Sequence, residues 1–79
     1  VISPEEVLRA LEGVGLAGEV RTDLHVAEVL VTSARGRRYV IRFLPNGKAT
    51  VSTPLDFIHH RVCGTLAEVL AAVAGDASV

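Results

Sequence analysis

Cysteine is almost missing from this chain. Cys63 is the only one in 79 residues, so no internal disulfide can staple the fold. A lone thiol fits a reducing compartment, and a cytoplasmic location is expected. Aromatics are scarce too: Tyr39, Phe43 and Phe57 are the full set, which leaves little for stacking on nucleic-acid bases. Neither sign of charge prevails, since the formal net charge is −1. That removes the overall positive field expected of a polyanion binder. No apolar run approaches the ~18 residues of a membrane span, and no signal-peptide pattern opens the chain, so no membrane partner is expected. The sequence begins with Val1 instead of Met, which leaves open whether the native start is included. No nucleophile–base pair or carboxylate dyad is visible, so neither an enzyme nor a cofactor is expected.

Apolar residues are abundant. Hydrophobic side chains make up 49% of the chain, and seven glycines stand beside them. With Gly included and Tyr left out the share is about 57%, above the usual ~45–50%. Residues 1–79 allow one small domain, and a domain of this size buries only ~60% of its unfolded surface. Some apolar surface should therefore remain for a partner.

Three segments carry the signature of a helix start. Ser3-Pro4-Glu5-Glu6 offers an N-cap hydroxyl, Pro at the first helical position and Glu three residues after the cap. Thr53-Pro54-Leu55-Asp56 and Thr65-Leu66-Ala67-Glu68 repeat the pattern. Between the first and second lie three segments rich in Val, Ile, Tyr, Phe and Thr, at 26–33, 37–44 and 48–53. Glu19–Thr22 can add a short strand.

Register decides the turns. Three-residue loops Ala34-Arg35-Gly36 and Pro45-Asn46-Gly47 pair Val31 with Tyr39, Val29 with Ile41, Phe43 with Ala49 and Ile41 with Val51. A two-residue loop at Asn46-Gly47 would mix core and surface positions. The expected architecture is α+β: an N-terminal helix, a three-stranded antiparallel meander, and two C-terminal helices packed on one sheet face (α-β-β-β-α-α).

The same register writes the opposite face. Glu28 falls opposite Arg42, and Leu30 opposite Val40. Val26, Leu30, Val40 and Leu44 form an apolar group rimmed by charge. Scattered apolar residues on a sheet face are ordinary. Read functionally, they make a docking surface for a second copy or another protein, so a homo-oligomer or a protein partner is the leading expectation.

Nucleic acid is the runner-up. Arg35, Arg37, Arg38, Arg42 and Lys48 give residues 35–48 a charge of +5 with no acid among them. Tyr39 and Phe43 face the core in this register, so they cannot stack on bases. Asp56, His59, His60 and Cys63 are the one metal-like group, but their spacing fits no standard zinc signature, and no metal site is expected. His25 has no spacing-defined partner.

The layout is similar to the double-stranded-RNA-binding fold. Leu8-Arg9-Ala10-Leu11-Glu12 with Gly15-Leu16, and Gly64-Thr65-Leu66 opening a late helix, resemble the small HicA-type mRNA-cleaving toxins. That resemblance implies RNA cleavage with a catalytic His. The family places that His after a Gly-Ser or Gly-Thr pair, whereas His25 follows Asp23-Leu24, and basic residues are missing from the last helix.

Overall fold

The computed structural model describes residues 2–23 and 26–75, with the side chains of Asp23 and Phe57 left out. The first helix, α1, spans Pro4–Gly13. The Ser3 hydroxyl accepts the Glu6 N–H at 3.3 Å, and Pro4 opens the helix as its cap predicts. Val7 and Leu11 form the buried stripe. The helix stops where the Leu16 N–H donates to the Leu11 carbonyl at 2.9 Å, and the chain turns into strand.

Five strands follow: β1 Gly18–Asp23, β2 Val26–Thr32, β3 Arg38–Phe43, β4 Ala49–Thr53 and β5 Asp56–Cys63. They form one antiparallel meander in chain order. A second helix, α2 Leu66–Ala74, follows behind the Thr65 cap, whose hydroxyl accepts the Glu68 N–H at 3.2 Å. None of the described helices is long and apolar enough to cross a membrane.

The two central hairpins have the expected loops. Ser33 N–H donates to the Arg37 carbonyl at 2.8 Å, and Leu44 N–H to the Lys48 carbonyl at 2.8 Å, closing three residues each time. Gly36 and Gly47 sit at φ +83° and +85°, where a side chain would be strained. The resulting pairs are Val31–Tyr39, Val29–Ile41, Ile41–Val51 and Phe43–Ala49, as register argues.

The three-strand architecture is overturned. Glu19–Thr22 is the middle of a full strand, β1, paired with β2 from Gly18–Val31 to Asp23–Val26. The expected middle helix is β5. Thr53-Pro54-Leu55-Asp56 is a tight turn with Thr53 opposite Asp56. Pro at the second position of a turn is as natural as Pro at the first position of a helix. Asp56 does accept backbone N–H groups, as a cap would, from Ile58 at 3.1 Å and His59 at 3.3 Å. Those bonds hold a bulge, since Ser52 pairs with His60 and three residues are looped out of the ladder. Tertiary pairing with β4 then outweighs the local cap signal for a segment rich in β-branched and aromatic residues.

Both helices lie on one sheet face. α1 packs on β1 and β2, α2 packs on β4 and β5, and the helices touch each other. Val7, Leu11, Val29, Tyr39, Ile41, Val51, Val69 and Val73 are fully buried between the layers. Cys63, opposite Ala49, closes the core at β5.

Candidate association surface

The helix-free face reads across the strands in rows. One row runs Arg21, Glu28, Arg42, Thr50, Val62, and the next runs Glu19, Leu30, Val40, Ser52, His60. No described helix covers it. Its centre is nonetheless shielded by its own side chains: Val40 is 2% exposed and Ser52 1%. Glu28 is also buried, and Arg42 Nε donates to its carboxylate at 2.9 Å. Two open depressions lie on this face. One, of about 510 Å³, takes in Arg21, Leu30, Arg38 and Pro54. The other, of about 370 Å³, takes in Val26, Leu44, Thr50 and His60.

The apolar group expected to dock a partner is therefore uneven. Val26 is 42% exposed, Leu30 and Leu44 are half-buried, and Val40 is buried. The exposed large apolar side chains among the described residues lie elsewhere: Val14, Val20, Val26, Leu55, Ile58 and Val62. Five of the six belong to the edge strands β1 and β5 or to the segments leading into them, and Val26 opens the inner strand β2. Sequence reasoning missed Leu55, Ile58 and Val62 as surface candidates, because a helix assigned to that segment hid its strand alternation. β4 is an inner strand and offers no edge, since β5 pairs with it.

The basic residues separate along β3. Arg35, Arg37 and Arg38 are exposed around the β2–β3 turn, and Lys48 is exposed beyond its other end. A six-residue strand puts about 20 Å between those ends. Arg42, midway, is bonded to Glu28. The sequence +5 is thus three arginines at one end and one lysine at the other.

The metal-like group separates as well. His60 lies opposite Ser52 on the helix-free face, whereas Cys63 is buried under the helices. Asp56 and His59 pair at 2.8 Å in the exposed bulge. Among the described residues no three His, Cys, Asp or Glu side chains converge to hold a metal. The His59 side chain, and then its backbone N–H, hold the Asp56 carboxyl below its ordinary value of 3.8. Burial, with the Glu68 carboxylate adding to it, pushes the Cys63 thiol up and so disfavours the thiolate. His25 lies outside the described residues.

The similarity to the double-stranded-RNA-binding layout rested on three strands and does not extend to a five-stranded sheet. Comparison with protein-family models, with curated proteins and with solved structures found no match in any of the three.

Proposed function

We propose that this domain works by protein association, and that its first partner is a second copy of itself. One observation carries the reading: five of the six exposed large apolar side chains of the described residues lie on or beside the two open edges of the sheet. Among the described residues nothing pairs with the outer side of β1 or β5, and an unpaired strand edge presents backbone N–H and C=O groups outward. Apolar side chains placed along such rows are what a partner strand or hairpin would bury. A single buried, free thiol suits work in a reducing compartment such as the cytoplasm.

Light scattering from about 10 μM to 1 mM tests the reading, a range matched to weak association. A concentration-dependent dimer is the expected result, and a monomer throughout would end it. Leu44→Glu lies away from both edges and should leave the dimer intact. A dimer lost on Leu44→Glu would move the interface to the helix-free face.

A further inference from the structure

The two open edges are not equivalent. Along β5 the bulge breaks the ladder, and the Ile58 and His59 N–H groups already donate to Asp56. An irregular edge with N–H groups already bonded is a poor template for another strand. β1 is regular. It pairs with β2 through all six of its residues without a bulge, and no described residue pairs with its other side. It contains no proline. Alternate residues of such a strand direct N–H and C=O outward.

The side chains of β1 select what can pair there. Glu19 and Arg21 are exposed on the helix-free face, with Val20 between them on the helix face, 43% exposed. Glu28, the residue opposite Arg21 in β2, is taken by Arg42. Two copies of β1 laid antiparallel about Val20 bring Glu19 of each copy opposite Arg21 of the other. Val20 meets Val20, and Gly18 meets Thr22. Both charge pairs are then complementary. Centring the pair on Glu19 or on Arg21 would set like charges against each other, which is destabilising for directly opposed residues. Edge charges ordinarily keep other strands away. Here their spacing repels a shifted copy and accepts one register.

We infer that β1 is the dimer strand: two copies join β1 to β1 about a twofold axis at Val20, which extends the five-stranded sheet to ten strands with both helix layers on one side. The inference rests on the self-association reading and names its surface.

Charge reversal tests it without depending on any one variant. Glu19→Arg alone and Arg21→Glu alone each place two like-charge pairs in the interface. Each should weaken the dimer by about tenfold or more. Mixed in equal amounts, the two variants are complementary, and the heterodimer should return to wild-type affinity. Circular dichroism confirms that each variant is folded. A Val20→Cys chain should form a disulfide-linked dimer under mild oxidation, since opposed Cα atoms in an antiparallel pair lie ~4.5–5.5 Å apart, within disulfide reach. Thr22→Cys, which faces Gly18 of the second copy, should not. Cys63 is buried and does not compete. A wild-type dimer unaffected by either reversal, or weakened singles that mixing does not rescue, would overturn the β1 geometry and leave self-association standing. A wild type monomeric up to about 1 mM would remove both.

Discussion

Glu28 is a carboxylate with a 9% exposed side chain on a face that no described helix covers, and Arg42 is what makes that position tolerable. Their pairing follows from the loop glycines, because three-residue loops ending at Gly36 fix Glu28 opposite Arg42. This contact was legible in the sequence. Arg42→Ala should destabilise the domain by about 1–2 kcal/mol in urea unfolding, because a largely buried charge loses its donor while Arg42 itself stays partly solvated. Glu28→Gln in that background should recover part of the loss, and an additive double mutant would show that the pair is not coupled. Burial of Val40 beside it was not legible, since pairing rules do not say how far neighbouring side chains lean over a central strand. Cys63 gives a second prediction at this scale. Fully buried and with its pKa raised, it should react with a thiol reagent at pH 8 about a hundredfold more slowly in the native protein than in urea.

At the scale of elements, the β4–β5 hairpin shows where local signals run out. Hydroxyl, Pro and acid in sequence suit a helix start and a tight turn equally, because both ask for a fixed φ and an oxygen that accepts a nearby N–H. What decided between them was the partner: β4 offered a free edge, and Val62 and Cys63 fill its two faces. Asp56 holds the bulge in either ionisation-sensitive contact, to the backbone or to His59. Its pKa is lowered in the fold, so its contribution is fully present above the ordinary value of 3.8 and is lost as pH falls through the lowered one. Amide exchange should therefore show the Ile58 and His59 N–H groups protected at neutral pH and released only in acid. Asp56→Ala should release them at neutral pH while changing global stability by less than about 1 kcal/mol, as expected of an exposed site. β1 was half legible, its centre readable from Val20 and Thr22 but its length set by pairing with β2. Gly18 lies close under the α1 side chains. A Cβ there would lie 2.9 Å from Leu8 and 3.0 Å from Leu11. Gly18→Val should cost about 1–3 kcal/mol by overpacking.

For the molecule as a whole, the fold divides a charge pattern that looks continuous in the chain. Three exposed arginines at one end of β3 can meet about three phosphates at once. Any retention on duplex RNA should then have a shallow salt slope and disappear by about 0.15 M salt. Tight binding at that salt, lost on changing Arg35, Arg37 and Arg38 together to Ala, would restore the nucleic-acid reading. The class, α+β with helices on one face, was legible from amphipathic stripes and strand alternation. Strand number was not, because each added strand depended on its neighbour.

The division of the sheet between two helices also sets an order of events during synthesis. α1 and its strands β1 and β2 leave the ribosome first and can collapse on each other as local neighbours. Ala49, Val51 and Cys63 emerge before Val69, Ala72 and Val73, the α2 residues of the shared core. Until Leu66–Ala74 is free of the exit tunnel, half of the sheet carries bare apolar side chains beside an unfinished edge. A nascent chain stalled just after Cys63 should therefore be the form of this protein that chaperones hold most strongly. Extending it by the length of α2 should release it.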